Sequence, residues 1–447
     1  MPVYNEQAWQ AYNAVIREQY TLANVPVDDG YPIWGDRAVW DVASGALSYE
    51  QSCAKHLREC RSALGLVDPI PPVGPMLPLR VEAARLRAGS AWVHWQGISE
   101  FSAIHLCRTG QESELIRRLD RAAAAKRNGI RVLMMKAPQT NSTPAWNAFD
   151  LSPTMPGYRD AFDRTVTLAS ERGLYLETVL FADAQIVMPD PNARRAYTAM
   201  AAEWCRQYPT VLPQIANEPY KNGWDSSTDP ALLQLAAMFE ADYGRPFSIG
   251  DPPDVVTDPP TGNPLHDDLA KLAGQSSVLV LHPDRSSSGQ WARWVDHLKG
   301  FEEVYDNPHG DYRIHDETMG AASVTTGSRD SRPDAHLAAS LVCAVMGIGF
   351  TYHYVSETDD STPGLDLCAL QAKIPASPNF RFYNANPSGP VVTTFSGPDK
   401  VRCCSDGAGA WAVAYGYPGD WKINWMEGWK PTLVHKSDSV QLWRAGR

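Results

Sequence analysis

Glu218 stands in the run Ile215-Ala216-Asn217-Glu218-Pro219, directly after the apolar stretch Val211-Leu-Pro-Gln-Ile. A second acidic group, Asp316-Glu317, follows the apolar stretch Tyr312-Arg-Ile-His. Carboxylates on opposite sides of one cleft can divide a bond-breaking reaction. One protonates a leaving oxygen while the other attacks the carbon or activates a water, which is the chemistry of glycosidic cleavage. Asn-Glu-Pro alone is a short pattern, and a Glu-Pro after a strand serves equally well as a turn. Asp316 is the near rival of Glu317, because neighbours in a strand face opposite ways and only one can enter a shared cleft. Asp306, in Val304-Tyr-Asp-Asn-Pro, is a more distant third. The sequence has no H-E-x-x-H, G-x-S-x-G, Walker A or EF-hand pattern, so neither a metal nor a cofactor is expected.

These residues need elements to hold them. From about residue 80, short apolar runs alternate with stretches of helical spacing. Besides the two runs above, they are Trp92–Gln96, Ile130–Met135, Tyr175–Phe181, Pro246–Ile249, Val278–His282 and Ile348–His353. Helix-like spans such as Glu112–Arg127, Gly157–Arg172, Ala193–Gln207, Pro230–Tyr243, Gly289–Leu298 and Pro333–Met346 lie between them. Eight strand-helix units predict an α/β fold, a (β/α)8 TIM barrel. A doubly wound open sheet is the rival, weakened by the lack of a Gly-rich phosphate turn after the first strand. In such a barrel functional groups project from the C-terminal strand ends. That rule selects Glu218 after strand four, His282 after six, Glu317 after seven, and Tyr352-His353-Tyr354 after eight.

The flanks differ from the barrel. Residues 1–65 read as a small N-terminal helical module, and 66–78 as a linker with five prolines between 69 and 78. The barrel is expected over 79–385, followed by an antiparallel β domain over 386–447, rich in aromatic and β-branched residues. The 15 Trp and the aromatic C-terminal runs suit sugar stacking, although core packing is the commoner use of Trp. A net charge of -11 without any basic run argues against nucleic acid as partner. The eight Cys show no C-x-x-C or zinc spacing and read as free thiols, with Cys403 and Cys404 facing opposite ways in a strand. The most apolar stretch, 337–352, is interrupted by Gly347 and Gly349 and reads as a buried helix feeding a buried strand, not a membrane span. With no signal-like N-terminus, a cytoplasmic or particle-associated location is expected.

Asn-Glu-Pro after strand four with a Glu after strand seven resembles clan A of the glycoside hydrolases. The separation, 317 − 218 = 99 residues, suits three intervening units. The resemblance covers roughly residues 79 to 360 and also includes Trp95-Gln-Gly-Ile-Ser-Glu-Phe as a first strand behind a hairpin, Leu79–Trp92, that closes the barrel floor. It implies a retaining glycosidase acting on an oligo- or polysaccharide, with Glu218 as acid/base and Glu317 as nucleophile. Asn217 would hold the sugar 2-hydroxyl, and His282 would contact substrate or nucleophile. Two positions depart from the clan. Where an Arg commonly closes strand two, Met134 and Met135 stand here, and Lys136 is left to supply the positive charge. Where a Trp commonly floors the sugar site after strand eight, His353 takes the place, with Tyr352 the alternative. Trp146 and Trp224, on loops of the catalytic face, are candidate stacking platforms. The departures also admit a second reading: a non-catalytic carbohydrate-binding or structural protein on a decayed barrel. In that reading the N-terminal module docks into a larger assembly such as a phage tail.

Overall fold

A computed structural model describes residues 76–138, 149–250, 272, 274–281, 311–316, 333–352, 367–384, 390–398, 400–416 and 421–447. All of them belong to one compact unit, Pro72–Arg447. The N-terminal module and most of the Pro-rich linker lie outside the described residues.

Three short strands open the unit: β1 (Leu79–Glu82), β2 (Arg85–Ala88) and β3 (Ala91–Val93), an antiparallel sheet. Seven parallel strands follow: β4 (Gln96–Ser99), β5 (Gly129–Leu133), β6 (Tyr175–Phe181), β7 (Val211–Ala216), β8 (Val278–Leu281), β9 (Tyr312–His315) and β10 (Gly349–Tyr352). Their order is β7-β6-β5-β4-β10-β9-β8, so the first and last strands pair and the edges are β7 and β8. Ser248 bridges both edges, to Gln214 and to Val278. Its N–H donates to Pro213 O at 2.8 Å, and Phe247 O accepts from Val278 N at 3.1 Å. The sheet therefore closes as a (β/α)8 barrel. The fifth stave, expected as Pro246–Ile249, is reduced to Phe247–Ile249, which bond to the two edges; Pro246 before them has no N–H to give, and Gly250 follows. The run expected as strand one is also divided. Ala91–Val93 belongs to the antiparallel sheet, and Gln96–Ser99 enters the barrel.

The strands are buried on both faces, as continuous apolar runs require of a covered parallel sheet. Helices cover them: α1 (Ala103–Arg108), α2 (Glu112–Ala124), α3 (Tyr158–Ser170), α4 (Ala184–Val187), α5 (Pro191–Arg206), α6 (Pro230–Tyr243), α7 (Pro333–Met346) and α8 (Leu367–Gln371). Local sequence starts α5 and α6 in the same way. Asp190 and Asp229 accept from the N–H groups of Asn192 and Ala231, each with Pro at the first helical position. Gly244, at φ 66°, ends α6.

Leu79, Leu86 and Trp95 pack with Tyr175, Leu212, Val278 and Tyr312 to plug the end of the barrel where its strands begin. The Trp95 indole needs glycine around it. A Cβ at Gly129 or Gly97 would lie 2.4 or 2.6 Å from its ring. With that end filled, a site must form at the other.

Beyond α8 come β11 (Arg381–Asn384), β12 (Val392–Ser396), β13 (Lys400–Ser405), β14 (Gly409–Tyr415), β15 (Lys422–Trp425), β16 (Lys430–Lys436) and β17 (Val440–Gly446). Five form one antiparallel sheet, β11-β13-β14-β17-β16, and β12 pairs with β15. The first of these strands begins ahead of the expected boundary at 386. Cys403 and Cys404 face opposite sides, one toward the β12–β15 pair and the other toward α7. From Leu337 to Met346 helix α7 is buried and almost wholly apolar, lying between β10 and this sheet. Among the described residues, no helix is long and apolar enough to cross a membrane.

Candidate active site

Glu218 lies at the C-terminal end of β7. Asn217 N–H donates to Phe181 O at 2.9 Å and carries the ladder one residue past the strand. The chain then turns at Glu218 itself, whose φ of 35° and ψ of 66° are left-handed. Pro219 begins a 3-10 turn, Pro219–Lys221. Asn222 holds the turn from below: its Nδ2 donates to Asn217 O at 2.6 Å and to Glu218 O at 3.2 Å, while its Oδ1 accepts from Asp183 N–H. Gly250 packs close against it, since a Cβ there would sit 2.8 Å from Ala216 O and 2.9 Å from Pro219 Cγ. A non-glycine residue in this backbone region costs about 1–3 kcal/mol and persists only where its surroundings impose it. The Glu218 side chain keeps 13% exposure, pairs with the half-exposed Lys221, and accepts from Tyr220 OH at 3.3 Å.

A buried polar cluster in the described barrel centres on a residue that its sequence pattern did not single out. Arg131, in the middle of β5, is fully buried and points into the barrel. Its neighbours Ile130 and Val132 face the helices, which leaves Arg131 on the inner side. Its Nη2 donates to Asn217 Oδ1 at 2.8 Å and to Gln214 Oε1 at 3.0 Å. Its Nε pairs with Asp316, and Glu177 Oε1 lies 3.8 Å away. Phe101 presents its ring 5.5 Å from the guanidinium carbon. One guanidinium thus ties strand two to the amide beside Glu218 and to the carboxylate that follows strand seven.

This corrects the expected departure at strand two. The cation beside the strand-seven acid is Arg131, three residues before Met134, and Lys136 is not needed there. Lys136 is buried, with Nζ donating to Ala137 O at 2.6 Å and Phe149 O at 3.1 Å and lying over the Phe149 ring. Burial pulls its pKa down, against the Asp183 and Asp150 carboxylates. Its contacts hold the 136–151 loop end together.

At strand seven, Tyr312 and Ile314 face the plugged interior. Alternation gives Asp316 the same side, and it is fully buried against Arg131. Glu317 lies outside the described residues, as do His282, His353 and Trp146.

Two expected substrate contacts are core residues instead. Thr351 takes the inner side of β10, its Oγ1 accepting from Trp95 Nε1 at 2.9 Å, so Tyr352 faces outward into the α7 cluster. Trp224 is buried edge-on against Phe181, with Arg194 4.7 Å from its ring centroid. Neither ring is open to a sugar. Asn217 remains at the site, with its side-chain Oδ1 accepting from Arg131. Arg131 had one legible signal, a charge inside an apolar strand run; its side became plain only with the register to Glu177.

No family model matches the chain, and no curated protein matches it. Solved structures do. A glycoside hydrolase family 5 protein from Bacteroides vulgatus covers 83% of this chain and 93% of its own, with a TM-score of 0.51 at 11% identity. Another glycoside hydrolase structure covers 83% and 97%, with a TM-score of 0.50 at 11% identity. At such identity the likeness is one of fold: the chain shares the (β/α)8 barrel of these glycoside hydrolases.

Proposed function

We propose that the protein is a retaining glycoside hydrolase acting on an oligo- or polysaccharide, with Glu218 as general acid/base and Glu317 as nucleophile. The observation that carries the reading is Glu218 on a strained left-handed turn at the open end of strand four, joined through Asn217 and Arg131 to the strand-seven segment. In this mechanism Glu218 protonates the glycosidic oxygen as the bond to the anomeric carbon breaks. The strand-seven carboxylate forms the glycosyl-enzyme, and Glu218 then takes a proton from the water that releases the sugar. Asn217 hydrogen-bonds the 2-hydroxyl, and Arg131 stabilises negative charge next to the nucleophile. His282, His353 and Trp146 complete the sugar contacts in this reading.

Asp316 is the alternative nucleophile, favoured by its direct pairing with Arg131. Aryl glycosides and polysaccharides presented to the wild type, Glu218→Gln, Glu317→Gln and Asp316→Asn test the assignment. Turnover by the wild type should fall by about 10²–10⁴ in Glu218→Gln and vanish in Glu317→Gln. Asp316→Asn should keep measurable turnover. Loss in Asp316→Asn with activity kept in Glu317→Gln transfers the nucleophile to Asp316. Wild-type binding to glycan without turnover favours the non-catalytic reading.

A further inference from the structure

The C-terminal sheet carries a groove of about 940 Å³ on the face it shares with the α7 contact, beyond the end that the helix covers. Two rows of paired residues form its floor. Trp411, Arg444 and Thr432 are register partners, and so are Gly409, Gly446 and Lys430. Positions two apart in a strand share a face, so both rows open the same way. The second row is shallow because two of its members lack side chains. A Cβ at Gly446 would meet nothing within 4 Å.

The charges in the groove are unlike those of the chain as a whole. The net charge is -11, yet Lys373, Lys430 and Arg444 line this groove with one carboxylate, Asp406. Asp406 is turned to its own loop: Oδ1 accepts from Gly409 N–H at 2.7 Å and Ala408 N–H at 3.0 Å. Arg444 is placed over Trp411, its guanidinium carbon 5.9 Å from the ring centroid. A guanidinium held against an aromatic ring keeps its planar fork available for a carboxylate. The three cations come from distant positions, which is why no basic run marks them in the sequence.

From these observations we propose that the groove is a second glycan site, separate from the barrel, that binds a uronate-bearing polysaccharide through Arg444, Lys430 and Lys373. The carboxylates give the chemistry of recognition, and the glycine floor admits the sugar rings. That the carboxylates are carried by a glycan rests on the glycosidase reading; the groove's preference for anions does not.

Isothermal titration of the full chain with sodium polygalacturonate, a neutral glucomannan and poly-L-glutamate tests this at low and high salt. Polygalacturonate should bind, weaken with salt, and lose about tenfold or more in affinity in the Lys430→Ala/Arg444→Ala double variant. Gly446→Trp, which fills the open floor, should block it while leaving thermal unfolding unchanged. Equal affinity in both variants, or no binding at all, overturns the proposal. Glucomannan bound equally well and lost in the same variants overturns the charge preference. Poly-L-glutamate bound as tightly at the groove replaces the glycan with an acidic protein segment. Binding is scored without turnover, so an inactive barrel leaves this result unaffected, and a groove that binds nothing leaves hydrolysis unaffected.

Discussion

Glu218 and Arg131 are held by opposite kinds of constraint. Glu218 sits in left-handed backbone that its turn imposes, and its side chain pairs with Lys221 at the C-terminal end of β7. Glu218→Gly should relieve that strain and raise stability by about 1 kcal/mol in urea unfolding, while abolishing any hydrolysis. A destabilised Gly variant would contradict the strain. Arg131 is locked by buried partners: Glu177 of β6, Gln214 of β7, and Asn217 and Asp316 just past β7 and β9. Arg131→Met strands the Asp316 and Glu177 carboxylates without their cation and should cost about 3–5 kcal/mol. A loss below about 1 kcal/mol would mean that the pairs contribute little. Glu218 was legible because a Glu-Pro ends a strand whose rank can be counted. Arg131 was not, because an arginine within an apolar run gives no indication of which side it faces until the register of β5 and β6 is known.

Elements were more legible than their inner and outer faces. Runs such as Tyr175–Phe181 and Tyr312–His315 and the helix Pro230–Tyr243 matched their predicted bounds, since period, caps and prolines are written locally. The roles of Tyr352 and Trp224 were misread because strand parity and loop packing are tertiary facts. The fifth stave is shorter than its apolar run: only Phe247–Ile249 bond to β7 and β8. His94, between β3 and β4, shows how the floor is coupled to its surroundings. Its Nε2–H donates to Ile374 O at 3.1 Å. Burial, helped by the Arg85 guanidinium, lowers its pKa from 6.5 to about 4. The folded value lies below the unfolded one, so the stability it contributes is full above pH 6.5 and is lost as pH falls toward 4. The loss is on the order of 3 kcal/mol. Urea midpoints from pH 7 to 4 should fall more steeply for the wild type than for His94→Gln; parallel slopes would contradict the shift.

At the scale of the molecule, the barrel and the C-terminal sheet share one core. Leu341 and Val345 of α7 lie in the same cluster as Phe350 of β10 and Val413 and Leu442 of the sheet. Calorimetry should therefore find one transition for the barrel and sheet together, and a chain ending before Arg381 should not fold. Two separable transitions for these parts would contradict a shared core. The fold class was legible because eight strand-helix repeats leave few architectures, whereas the burial of α7 on two sides showed in the sequence only as unusual apolarity. The proposed chemistry is tested most directly by Glu218→Ala acting on an aryl glycoside with a good leaving group. Glycosyl-enzyme formation then needs little acid assistance, so a burst of phenol should precede slow turnover. Azide should restore turnover and yield a glycosyl azide with the substrate's own anomeric configuration. Wild-type rates without azide, or an azide product of inverted configuration, would contradict Glu218 as the acid/base of a retaining glycosidase.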